Sequence, residues 1–94
     1  MEALPNTWVH KTQEVATRGI PDILACINGM FVALELKATE NDKADPLQLY
    51  NLNKIVDSRG FACTVSPESW DRVFNVLQIM SEEGKNDRTQ LRKN

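Results

Sequence analysis

The chain has 94 residues, room for one small domain and not for a second core beside it. Hydrophobic residues make up 41% and charged residues 26%, which excludes a disordered or collagen-like chain. The 11 lysines and arginines against 13 aspartates and glutamates leave a net charge of −2, which weighs against binding nucleic acid by bulk charge alone.

Residues 1–5 carry no basic region and no long apolar run, so no signal peptide is expected. Residues 7–12 alternate weakly and predict a strand. Residues 20–27 and 30–37 predict two more strands, joined by Asn28-Gly29, the strongest short signal for a hairpin. The apolar run of residues 30–36 is too short to span a membrane. Asp45-Pro46 then predicts a helix start, with Asp45 as cap and Pro46 in the first turn. Leu49, Leu52, Ile55 and Val56 are its expected buried stripe, and Gly60 its expected stop. Residues 61–65 predict a strand, and Ser66-Pro67-Glu68 the start of a second helix. Trp70, Val73, Phe74, Leu77 and Met80 form that helix's apolar face. The order is β-β-β-α-β-α, an α/β fold with a small mixed sheet and flanking helices. Residues 1–80 are the expected domain and residues 81–94 a flexible polar tail. Cys26 and Cys63 match no zinc or redox spacing and are expected as core thiols, in a reduced cytoplasmic compartment.

The turn sets the register. A two-residue loop pairs Ile27 with Met30, and counting outward puts Asp22 directly opposite Glu35. Side chains so opposed have Cβ atoms about 4.5–5.5 Å apart. Lys37 lies two residues beyond Glu35 and shares its face. Leu24, Cys26, Phe31 and Ala33 are the neighbours there, while Ile23, Ala25, Ile27, Val32, Leu34 and Leu36 take the other face. Both faces are apolar, so the hairpin is expected to be central and covered on both sides. Two like charges opposed beside an apolar centre destabilise a sheet unless something offsets them. A shared proton, Lys37 or a hard divalent cation would do so, and such a cation can activate water against a phosphoryl group. A Glu-x-Lys triplet alone occurs by chance in roughly one chain in three of this length. The joint placement carries the reading.

The string Gly19-Ile20-Pro21-Asp22, followed after twelve residues by Glu35-Leu36-Lys37, resembles the PD-(D/E)XK nuclease signature. With Arg18, the Asn28-Gly29 turn, Leu47-Gln48 and Arg59-Gly60-Phe61, it is similar to the VRR-NUC branch, the virus-type replication-repair nuclease domain. The resemblance implies a restriction-endonuclease-like core and a metal-dependent endonuclease acting on branched DNA such as four-way junctions. It implies Mg²⁺ or Mn²⁺ on Asp22, Glu35 and the backbone carbonyl of Leu36. Lys37 would assist the attacking water, and Gln48 would orient the site. It also implies a homodimer of the small phage or bacterial type. One departure stands out. Many members have a helix before the first strand that supplies another acidic residue, and here only residues 1–6 precede Trp8 and its neighbour Thr7. Glu2 and Glu14 remain unassigned.

Lys11, Arg18 and Lys43 are candidates for phosphate contacts at the approach to the hairpin. His10 is expected to be structural or exposed, Trp8 and Trp70 to be core or dimer contacts, and loop 38–45 to be polar and mobile. A non-catalytic DNA-binding module of the same fold is the main alternative. An enzyme on another phosphate ester is weaker, because no Gly-rich phosphate loop is present.

Overall fold

A computed structural model describes residues 3–12, 19–43 and 45–83 of the chain. Strands β1 (Thr7–Lys11), β2 (Ile23–Ile27) and β3 (Met30–Leu36) are followed by helix α1 (Pro46–Asp57), strand β4 (Phe61–Val65) and helix α2 (Trp70–Glu82). They form one sheet in the order β1-β2-β3-β4. The first three strands pair antiparallel, and β4 joins β3 in parallel. A parallel neighbour needs a crossover, and α1 provides it. The architecture is the small mixed α/β sheet expected from the sequence.

Asn28 and Gly29 both have positive φ, at 51° and 88°, as a type I′ turn requires. The register follows, from Ile27 with Met30 out to Ile23 with Leu34. β2 begins at Ile23 rather than Ile20, because Gly19 takes φ 84° and Pro21 has no N–H to give the ladder. β3 stops one residue short of Lys37.

One sheet face carries the core. Ile23, Ala25, Ile27, Val32, Leu34 and Val65 pack against Val73 and Leu77 of α2. Each of the valine, leucine and isoleucine side chains contributes about 1.5–3 kcal/mol when fully buried. Of the expected apolar face of α2, Val73 and Leu77 dock with Trp70 and Met80 at the margin, while Phe74 lies outside that cluster against the Trp70 ring. Its start differs from expectation. Ser66 to Ser69 form a hydrogen-bonded turn, with Ser69 N–H on the Ser66 carbonyl at 3.0 Å, and the helix proper begins at Trp70. The Ser69 hydroxyl accepts from Ser66 N–H and so caps the turn rather than the helix. At the other end α2 runs to Glu82, with Ser81 buried. The Asn6 amide donates to the Ser81 carbonyl at 3.0 Å and the Asn28 amide to the Met80 carbonyl at 3.2 Å. They satisfy carbonyls that a helix end leaves without partners. Residues 84–94, the rest of the expected tail, lie outside the described residues.

The second face is only part-covered, which corrects the expectation of cover on both sides. α1 packs on β3 and β4 and leaves the β1–β2 side open. Trp8 is therefore 61% exposed, stacked on His10, and Cys26 is exposed rather than in the core. Cys63 packs at the core, where burial pushes its thiol pKa up. Leu36 is exposed too, at the strand end.

The buried stripe of α1 also differs. Leu52 is buried and Ile55 half-buried, but Leu49 and Val56 are each 49% exposed. The inward positions are Gln48, Asn51, Leu52 and Ile55, a helical i, i+3, i+4, i+7 set that includes two amides. The helix is turned so that these amides meet the sheet. The stop differs as well. Arg59, not Gly60, takes the left-handed conformation, with φ 76°. Gly60 N–H bonds the Ile55 carbonyl and Arg59 N–H the Val56 carbonyl, at 2.8 and 3.0 Å, a Schellman closure. A Cβ on Gly60 would lie 2.7 Å from the Ile55 side chain and 3.2 Å from the Phe31 carbonyl.

Candidate functional site

Beyond the last paired residues of the hairpin, the Asp22 side chain replaces the ladder. Its Oδ2 accepts the Leu36 N–H at 2.9 Å. Glu35, the next residue of β3 toward the hairpin turn, sits opposite Thr64 of β4 on its other side. Glu35 is only 4% exposed. Burial raises its pKa above the ordinary 4.5, and the nearby Asp22 charge raises it further. The Lys37 charge, the Asp22 backbone N–H and Gln48 act the other way, and the net direction is upward. Glu35 Oε1 is buried and has no hydrogen-bond partner among the described residues.

Gln48 grips the other carboxylate oxygen. Its Nε2 donates to Glu35 Oε2 at 2.6 Å, and its Oε1 accepts the Asp45 N–H at 3.2 Å. Asp45 Oδ1 in turn accepts the Leu47 N–H at 2.9 Å. One glutamine thus closes the capping box of α1 and orients Glu35. The Asp-x-x-Gln spacing that announces this box is visible in the sequence. Asn51, one turn on, carries no such signal and emerges only from the structure. Its Nδ2 donates to the Gly19 carbonyl at 2.8 Å and ties the loop before Asp22 to α1. Gly19 is needed there, since its φ is 84° and a Cβ would strike Leu47.

Lys37 Nζ lies 4.0 Å from Glu35 Oε2, and the side chain is 13% exposed. It also donates to the Lys43 carbonyl at 3.2 Å. Loop 38–43 is organised rather than formless, because Asp42 Oδ2 accepts the N–H groups of Ala38 and Thr39. The loop thereby sets where the ammonium group can sit.

Asp22, Glu35, Lys37 and Gln48 therefore come together, and Lys43 reaches them through its carbonyl on Lys37. Lys11 does not join them. It pairs with Ile23 and so belongs to the α2 face, away from the carboxylates. Arg18, Glu2 and Glu14 lie outside the described residues. Thr64, exposed and level with Glu35, is a neighbour that only the parallel pairing reveals.

The donor set suits a hard divalent cation. It offers two carboxylates, one with a buried oxygen that lacks a partner. Among the described residues no group of three or more His, Cys, Asp or Glu could hold a metal ion, so main-chain oxygen and water would complete the shell. No helix among the described residues is long and apolar enough to cross a membrane.

A stretch of 55 residues is 40% identical to part of a DNA gyrase subunit from Neisseria gonorrhoeae, a match that takes in 58% of this chain. The chain spans about 6% of that protein's length. No family model matches, and no solved structure matches.

Proposed function

We propose that the chain is a divalent-metal-dependent endonuclease of the VRR-NUC kind, hydrolysing phosphodiester bonds in branched DNA. Glu35 carries this reading. It is buried, its pKa is raised by burial and by the Asp22 charge, and one of its oxygens has no hydrogen-bond partner among the described residues. Such a pair costs the fold stability, and a cation offsets that cost. Mg²⁺ or Mn²⁺ on Asp22, Glu35 and the Leu36 carbonyl would supply Lewis-acid activation of a water and neutralise phosphoryl charge. The chain's own residues do the rest. Gln48 holds Glu35 in one orientation. Lys37, with one donor on the Lys43 carbonyl and Glu35 Oε2 4.0 Å away, has donors enough to meet the attacking water or a phosphate oxygen as well. The likeness to a segment of a DNA gyrase protein supports DNA as the partner. A homodimer suits two symmetric cuts at a junction, and the reading implies a cytoplasmic protein.

The test is cleavage of a labelled four-way junction, a flap and a plain duplex in Mg²⁺, Mn²⁺ and EDTA. Metal-dependent cutting is expected, falling about 10²- to 10³-fold in Lys37→Ala, as when one preorganised donor to a transition state is removed. No cutting of any substrate by the wild type would overturn the reading. A second reading, a DNA-binding module without catalysis, draws support from the two-carboxylate site among the described residues. It requires junction binding without cleavage, unchanged in Asp22→Asn.

A further inference from the structure

The face of the sheet that bears Asp22 and Glu35 continues into a groove that the cleavage site does not use. It lies between α1 and the β2–β3 hairpin and has a volume of about 430 Å³. Pro21, Leu24 and Ile55 give it apolar walls. Phe31 is part of the lining and is 46% exposed. Asn51 and Lys54 supply polar atoms. Pro21, in the lining, is the residue directly before Asp22.

We propose that this groove seats one unpaired DNA base next to the phosphate to be cut, stacked on Phe31, with Lys54 on that nucleotide's phosphate. The inference rests on the nuclease reading for its substrate and deepens it. Chemistry selects the occupant. The walls are mostly apolar and one ring is presented, which suits a flat heterocycle. Among the described residues Lys54 is the cation that lines the groove, and one cation suits one phosphate. The chain carries a net charge of −2, so affinity for DNA needs a source other than bulk charge, and stacking is that source. A paired base cannot enter. The groove therefore selects DNA with unpaired positions at a branch.

The experiment uses the full chain with Ca²⁺ as the cation. The DNAs are a flap with 2-aminopurine at the unpaired position beside the branch and a fully paired duplex of equal length. Binding and 2-aminopurine emission are followed for wild type, Phe31→Ala, Phe31→Leu and Lys54→Ala. Phe31→Leu keeps the apolar volume, so it serves if the alanine variant fails to fold. Loss of the ring is expected to weaken flap binding about 5- to 150-fold, the range for one lost base stack. Duplex binding should stay unchanged, and the emission change should vanish. Lys54→Ala should weaken flap binding and flatten its salt dependence by about one contact. Equal binding of flap and duplex by wild type, or flap binding untouched by both Phe31 variants, overturns the inference. So does a dimer that Phe31→Leu converts to monomer in sedimentation, since the groove would then be a self-contact. The same flap is also incubated in Mg²⁺. Cleavage with no effect of Phe31 overturns the groove alone. Discrimination by Phe31 without cleavage overturns the nuclease reading and keeps the groove. If wild type binds neither DNA, both fall.

Discussion

Glu35 shows how one side chain can be unfavourable to the fold and still be held in place. Its pKa stands above the ordinary 4.5, first through burial and then through Asp22. The sign of the stability effect follows. Below the ordinary value, folded and unfolded chains both hold the proton, and there is no penalty. As pH rises toward the raised folded value, the unfolded chain ionises first, so the folded state loses stability. Above that value the penalty is constant. In EDTA, Glu35→Gln is therefore expected to melt higher than wild type at neutral pH, with the gap closing as pH falls below 4.5. Thermal melts across the acid range read this directly. Saturating Mg²⁺ should reverse the order, because only the wild type gains from the cation. A gap that does not change with pH would assign the stress on Glu35 to packing rather than charge.

At the scale of elements, α1 links helix stability to site geometry through Gln48. Gln48→Ala removes half of the capping box and is expected to cost about 1 kcal/mol of stability. Gln48→Glu keeps the acceptor for the Asp45 N–H but sets a third carboxylate against Glu35. In EDTA its loss should be small at acid pH and should grow as pH rises, measured by denaturant unfolding. The other end of α1 offers an independent test. Arg59 adopts a left-handed conformation that glycine takes without strain. Arg59→Gly is expected to gain about 1 kcal/mol, raising Tm by about 4–8 °C for a domain of this size. Gly60→Ala should lose stability, because its Cβ would lie 2.7 Å from Ile55. The two neighbouring positions thus respond in opposite directions, although only Gly60 looks like a helix stop in the sequence.

For the whole molecule, the sheet has unequal faces. One packs on α2 and supplies the core. The other carries the carboxylate pair, the groove lined by Leu24 and Phe31, and exposed Trp8. Cation binding should register across the domain, because its proposed ligands come from central strand β3 and from the residue just before β2. Divalent cation at about 100 times its Kd is expected to add about 2.7 kcal/mol to unfolding stability. Asp22→Asn should abolish that gain, and melts with and without cation measure it. Proton and cation compete for Glu35, so the gain should increase with pH.

Local chemistry alone determined much of this. The Asn28-Gly29 turn sets a register by counting, and the ladder keeps it out to Ile23 with Leu34; just beyond, Asp22 holds the Leu36 N–H through its side chain and Lys37 lies 4.0 Å from Glu35. Alternation, caps and helical spacing determined the element order and the α2 face. Tertiary structure decided what depends on who covers whom. Whether Cys26 is core or surface depends on how far α1 reaches across the sheet. Which stripe of α1 turns inward depends on Gln48 and Asn51 finding Glu35 and the Gly19 carbonyl, partners remote in sequence. Lys11 falls on the face away from the site because its side is set by pairing with Ile23, not by its own neighbours. Sequence periodicity reports which residues share a face of one element. Only packing between elements selects the face that water keeps.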